Sequence, residues 1–136
     1  MNIGQYHVDG KACIMGVLNV TPDSFSDGGS YTQLEKALAQ VGAMVEQGAA
    51  VIDVGGESTR PGADFISQEE EIARVVPVIK AIKENYDVLI SIDTYKTGTA
   101  RAALEAGADI LNDVWAGLYD GQMLALAAQK DVPIIL

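Results

Sequence analysis

Apolar residues in this chain come in short unbroken runs instead of alternating with polar ones. CIMGVLNV (13–20), VIDV (51–54), VLISID (88–93) and ILNDV (110–114) each read as a buried strand, and VPIIL (132–136) begins a fifth. Such runs are what strands covered on both faces look like. Between them the period changes to that of a helix. Residues 32–47 carry Leu34, Leu38, Val41 and Val45 at helical spacing, and Gly48 follows as a stop. Ser67 and Glu70 form a capping box ahead of a stripe of Ile72, Val75, Ile79 and Ile82. Pro77 lies inside that second helix and is expected to kink or divide it. Thr97–Ala106 predicts a third helix, stopped by Gly107, and residues 120–130 a fourth. Upstream, IGQYHVDGKACI (3–14) places Asp9-Gly10 between two short segments and predicts a hairpin turning at that pair.

Buried strands separated by helices predict a parallel sheet covered by helices. Two units resemble each other: Gly48-Ala-Ala-Val-Ile-Asp53 aligns with Gly107-Ala-Asp-Ile-Leu-Asn112. A helix-stop glycine before an apolar strand is also generic in α/β chains, so the pattern by itself does not decide whether this is a true repeat. The polar residues decide more. Each complete strand ends in a carboxylate or an amide: Asn19, Asp53, Asp93 and Asn112. Burying such groups without partners costs several kcal/mol, roughly 2–7 each, so four at equivalent ends predict one shared polar cavity. In a (βα)8 barrel the C-terminal strand ends converge on the active site. In a doubly wound sheet they meet only at the switch point. The barrel is therefore the expected fold class: α/β, with this chain giving a hairpin, four βα units and the start of a fifth strand. A barrel needs about 250 residues, and the chain has 136. Residues 1–136 are thus expected to be a single domain that is the N-terminal half of a barrel, part of a longer protein.

Composition narrows the partners. The net charge is −10, from nine basic and nineteen acidic residues. That argues against nucleic acid or an anionic membrane surface, which reward clustered Lys and Arg. An anionic small molecule stays admissible, because it responds to the local field of a cleft. A single cysteine, Cys13, leaves no internal disulfide and suits a reducing compartment. No apolar run approaches the roughly 20 residues of a membrane span, and no secretory signal is visible. A cytoplasmic location is the expectation.

Two loops carry the chemistry. LNVTPDSFSDGGSY (18–31) follows the first strand and mixes hydroxyls, two Asp and a Gly pair with one aromatic, Phe25. GGESTRPGADF (55–65) follows the second strand. The stretch GVLNVTPDSFSDGG (16–29) resembles the first signature of dihydropteroate synthases and GGESTRPG (55–62) the second, while SIDTYK (91–96) and NDVWAG (112–117) fit later segments. The resemblance runs over essentially the whole chain, in order. It implies a (βα)8 barrel that condenses 6-hydroxymethyl-7,8-dihydropterin diphosphate with para-aminobenzoate, releasing pyrophosphate, with Mg2+ as cofactor and a homodimer as the complete protein.

Carried onto this sequence, the resemblance assigns Asp93 and Asn112 to the pterin ring, an assignment their chemistry suits. Asp accepts from an amino group and a ring N–H, and Asn both donates and accepts. Asp53 matches a family position and is read as their structural partner; Val114 is either an apolar pocket wall or ordinary core. Asn19 resembles the Mg2+-linked diphosphate contact. Thr59 and Arg60 match the diphosphate pair, where a guanidinium fork suits phosphate oxygens. Asp27, and less directly Asp23, would stabilise a cation-like pterin methylene as diphosphate leaves. Phe25 and Pro61 would close over para-aminobenzoate. A later pterin-binding Asp, a Lys and an Arg-x-His pair of the family have no counterpart within 136 residues, so this segment alone is not expected to catalyse.

His7 and Cys13 read as structural, and Trp115 as core or cavity flank. No G-x-G-x-x-G, Walker loop, C-x-x-C or H-E-x-x-H occurs. Two rivals use the same strand-end Asp and Asn: a corrinoid-linked methyltransferase with a related pterin-binding barrel, and a noncatalytic pterin-binding paralogue. The first has little use for STRPG or for a two-Asp loop.

Overall fold

Five parallel strands follow one another in space in the order of the chain. In the computed structural model they are β3 (Met15–Asn19), β4 (Val51–Gly55), β5 (Leu89–Asp93), β6 (Ile110–Asn112) and β7 (Ile134–Ile135). The structure describes residues 2–3, 6–7, 14–20, 33–57, 66–113 and 122–135. Helices α1 (Gln33–Glu46), α2 (Gln68–Asn85), α3 (Thr97–Ala106) and α4 (Met123–Lys130) fill the connections. The order β3-β4-β5-β6-β7 never reverses. A doubly wound sheet must reverse at its switch point, so the described sheet is an arc of a (βα)8 barrel. No helix among the described residues is long and apolar enough to cross a membrane.

The two faces of the arc differ. Leu18, Ile52, Val54, Ile90, Ile92 and Leu111 point to the helices and are essentially fully buried. They pack with Val41 of α1, Val75, Ile79 and Ile82 of α2, Ala100 and Ala103 of α3 and Leu126 of α4. Because side chains alternate along a strand, the intervening residues line the opposite, inner face. Its lower part holds a second apolar cluster, Val51 and Leu89 in one layer and Ile110 in the next. Above it the layers turn polar.

Gly48 (φ 102°) and Gly107 (φ 125°) do stop α1 and α3 in backbone conformations that side chains avoid. Gly56 has a different reason: a Cβ there would lie 2.9 Å from Val75 Cγ1 and 3.3 Å from Glu71 Cγ. The turn after β4 thus rests directly on α2. Gly56→Ala is expected to destabilise the protein by about 1–3 kcal/mol, the usual range for overpacking; an unchanged urea midpoint would refute this.

The first two strands, β1 (Asn2–Ile3) and β2 (Tyr6–His7), pair Asn2 with His7 and Ile3 with Tyr6. The hairpin turn expected at Asp9-Gly10 lies outside the described residues. Pro77 does not divide α2, which runs unbroken from Gln68 to Asn85. The carbonyl it leaves without a helical donor belongs to Ala73, and both residues are on the exposed side, where water can serve as partner. Asp53 is not a strand end either: β4 continues to Gly55.

Candidate active site

The register puts the strand ends in rows. Asn19, Gly55, Asp93, Asn112 and Ile135 are level across the five strands. One layer below, Val17, Asp53, Ser91 and Ile110 are level. Asn19, Asp93 and Asn112 therefore share the uppermost row, where β4 contributes a glycine. A Cβ at Gly55 would sit 3.6–3.7 Å from the Asp93 side chain, so the glycine leaves open room beside that carboxylate.

Asp53 lies just beneath and is buried. Its Oδ1 accepts from the Ser91 hydroxyl and from Asn112 Nδ2 at 3.2 Å. These bonds fix the orientation of the Asn112 amide: with Nδ2 turned down to Asp53, its Oδ1 is left to face a ligand. Ser91 opens the SIDTYK segment, but within an apolar run its role as a donor to Asp53 is not legible from the sequence.

Asp93 has no such support. Among the described residues none donates a hydrogen bond to it. Burial pushes its pKa up to about 6, and the negative charges of Asp53, Glu71 and Asp113 add to the rise. A carboxylate so placed gains from any ligand that brings N–H donors. The same field repels an anion, so a ligand with an anionic tail has to point that tail elsewhere.

A second cluster stands behind the strand ends. Lys96 Nζ lies 3.3 Å from Glu57 Oε1 and 3.3 Å from Glu71 Oε1, and it sits 5.0 Å above the Tyr95 ring. Thr99 Oγ1 donates to Glu71 Oε1 at 2.8 Å. Burial raises the pKa of Glu57, but hydrogen bonds from Tyr95, Ile66 and Lys96 and the Lys96 charge outweigh it, holding the carboxyl below its ordinary range. A signal for this cluster existed in the sequence. Glu71 stands at helical spacing with Val75, Val78 and Ile82 on the buried stripe of α2, and a carboxylate on an apolar stripe needs a partner.

At the far end of the sheet a cavity of about 580 Å3 is lined by residues including Lys83, Tyr86, Leu89 and Asp109. Its Lys83 and Asp109 charges satisfy each other. Lys83 Nζ meets Asp109 Oδ2 at 2.6 Å and the Val88 carbonyl at 3.1 Å, while Asp109 also accepts from the Ile90 amide at 3.0 Å. It lies at the N-terminal end of the strands, the stability side of a barrel.

Of the site residues expected from sequence, the structure thus brings Asn19, Asp93 and Asn112 into one row, with Asp53 below. Asp23, Phe25, Asp27, Thr59, Arg60, Pro61 and Val114 lie outside the described residues.

Residues 15–136 match the family of pterin binding enzymes. The chain belongs to this family. Over its full length it is 75% identical to a dihydropteroate synthase of Streptococcus pyogenes serotype M1, covering 51% of that protein. Dihydropteroate synthase from Clostridium difficile, solved in the presence of pteroic acid, superposes with a TM-score of 0.87 at 48% identity, over 92% of this chain and 48% of that one. The Xanthomonas albilineans dihydropteroate synthase with 4-aminobenzoic acid superposes at 0.85 with 46% identity, over 92% of this chain and 46% of that one. The chain spans about half the length of the curated relatives it matches.

Proposed function

We propose that the protein carrying this chain is a dihydropteroate synthase. It condenses 6-hydroxymethyl-7,8-dihydropterin diphosphate with para-aminobenzoate and releases pyrophosphate, a step of folate biosynthesis. The observation that carries this reading is the row of Asn19, Asp93 and Asn112 at the C-terminal strand ends, in a chain 75% identical to such an enzyme.

In this reading Asp93 accepts from the pterin's amino group and ring N–H. Asn112, held by Asp53, adds a matched donor–acceptor edge. The pterin thereby has its reacting methylene fixed before the C–O bond to diphosphate breaks, which removes part of the entropic barrier. Arg60 and Thr59 bind the departing diphosphate. Asp27, with Asp23 near it in the loop, steadies positive charge building on the methylene. Phe25 and Pro61 hold the aryl amine that attacks. Val114 contributes an apolar wall.

Mg2+ fits the donor chemistry. No group of three or more metal-ligating His, Cys, Asp or Glu occurs among the described residues, and Asn19 offers one exposed amide oxygen at its strand end. A cation there must draw on water and diphosphate oxygens, the habit of Mg2+. When bound it would neutralise charge on the diphosphate. The complete enzyme is proposed to be a cytoplasmic homodimer.

The decisive assay is pyrophosphate release from dihydropterin diphosphate by the full-length protein, which has to depend on para-aminobenzoate. Coupling between the substrates tests the site residues. Para-aminobenzoate is expected to bind about 5- to 150-fold more tightly when pyrophosphate, Mg2+ and a pterin are present, the usual span of such couplings. Arg60→Ala abolishes that gain. Phe25→Leu weakens para-aminobenzoate and sulfonamides that mimic it, but not pterin. Equal affinity in both conditions for the wild type defeats the proposed arrangement of the loops.

A further inference from the structure

Strand β5 lies between β4 and β6. On its inner face Ser91 sits between Leu89 below and Asp93 above, and it is the smallest of the three. Ser91 is fully buried. It stands level with Asp53 of β4 on one side and Ile110 of β6 on the other. Asp53 and Asn112 nevertheless meet across it: Asn112 Nδ2 donates to Asp53 Oδ1 at 3.2 Å, between residues 59 apart in the chain. Neighbouring strands lie about 4.8 Å apart, so a bond from β4 to β6 has to pass over β5. A leucine or isoleucine at 91, like the residues at 89, 90 and 92, would fill that path. The serine does more than leave space, because its hydroxyl donates to the same Asp53 oxygen.

We propose that Ser91 is a positioning residue that sets ligand selectivity without touching the ligand: it holds the Asp53 carboxylate toward Asn112, and Asp53 then fixes which way round the Asn112 amide meets the polar edge of a ring. That the ring is a pterin rests on the function proposed above; the relay from Ser91 to Asn112 does not.

The chemistry of the amide gives the reason. Asparagine accepts at one end of its amide and donates at the other, so turning it over inverts the pattern that a ligand meets. Asn112 is only half-buried at its strand end, where packing alone does not choose between the two orientations. Among the described residues its side chain makes one hydrogen bond, to Asp53. That bond chooses an orientation only if Asp53 is itself held. Asp53 is buried and reaches sideways over a strand, and Ser91 is its donor on that strand. With the relay intact, Nδ2 is tied to Asp53 and Oδ1 is left for the ligand, in the row that also carries the Asp93 carboxylate. Two acceptors in one row call for a ring edge that brings N–H groups. A ring edge with its amino and oxo groups exchanged sets acceptor against acceptor, and a site built on hydrogen bonds discriminates steeply against such a mismatch.

The experiment compares full-length wild type with Ser91→Ala, which keeps the space and removes the donor. Two probes are titrated: a pterin, and the isomer in which the ring amino and oxo groups are exchanged. In ligand-free protein the Asn112 Nδ2 proton resonances are expected to move from hydrogen-bonded positions toward those of a free amide. Pterin affinity should fall about two- to tenfold, the span of one hydrogen bond's net contribution. The isomer, bound weakly by the wild type, should hold its affinity or gain, because the released amide can turn to suit it. Equal losses for both probes overturn the proposal, since that is what a residue serving stability alone gives. Unchanged Asn112 resonances, or an unchanged pterin affinity, overturn it as well. Wild-type protein that binds neither probe overturns the proposed function, and the Asn112 resonances then decide the relay on their own.

Discussion

Asp93→Asn in the complete enzyme is expected to weaken a reduced pterin about tenfold to a hundredfold at pH 8, while making the ligand-free protein more stable. Both effects come from one carboxylate. Losing a hydrogen bond to a charged group costs about 1.5–3 kcal/mol, and about 1.4 kcal/mol is a factor of ten. The gain in stability follows from the sign of the titration. The Asp93 pKa is raised from 3.8 to about 6, so the folded state holds a proton that the unfolded chain has released. Its contribution to stability is therefore present below about pH 4 and lost as pH rises through 6. At pH 8 the wild type carries the full penalty, and the amide carries none. Ligand binding runs the other way. A ligand rich in N–H donors selects the carboxylate, so wild-type affinity should decline below pH 6 by up to about tenfold per unit. Calorimetry between pH 5 and 8 reads this directly. A wild-type affinity flat across that range, or an asparagine variant with the same affinity at pH 8, removes Asp93 from the site.

Lys96→Met should cost more stability than any other single change in the described polar residues, about 3–5 kcal/mol, the range for breaking a buried ion pair. The methionine fills similar volume, so packing is not the cause. Glu57 and Glu71 are left facing each other without the cation that both approach at 3.3 Å. Glu57→Ala, by contrast, leaves Lys96 and Glu71 as a neutral pair and is expected to be much milder. The comparison is made by urea unfolding of full-length protein. If Lys96→Met unfolds at the wild-type midpoint, the cluster is not a buried network of coupled charges.

The alternation of strands and helices was legible because parallel strands are buried on both sides and so read as plain apolar runs. The helix stops at Gly48 and Gly107 were equally open, since the positive φ there selects glycine. Pro77 misled, because the sequence does not reveal that the Ala73 carbonyl it leaves without a donor lies on the exposed side. Asp53 misled more usefully. Four polar residues look like equivalent strand ends, and the register separates them into two layers: three in the uppermost row, and one that holds Asn112 from below. Pairing across a sheet depends on stagger, which no single strand encodes. Of the Lys96 cluster the sequence signals only Glu71, on the apolar stripe of α2; its pairing is hidden for a related reason. Its members are 39 and 25 residues apart, in a loop, a helix and a turn, and Glu57 and Lys96 each alone look like surface charges. The loop residues from Asp23 to Pro61 were legible only as motifs, because their chemistry belongs to molecules the chain has yet to meet.

The strand order has a consequence for biosynthesis. Each strand of the arc pairs only with those just before and after it in the chain, so every βα unit can dock on its predecessor as it leaves the ribosome, without waiting for distant sequence. Closure is different. The outermost strands of the arc show apolar side chains to solvent, Val17 at 60% and Ile135 at 42%, and in a barrel β3 finds its second neighbour only when the last strand has been made. At a synthesis rate of about 5–20 residues per second, the hundred or so residues still needed for a barrel of about 250 keep that seam open for roughly 5–20 seconds. During that interval the nascent arc offers an unpaired apolar edge to any similar chain nearby. Yield during overexpression should therefore be limited at this seam, and slower initiation, which spaces the nascent chains apart, should recover more soluble protein than slower elongation, which only prolongs the exposure.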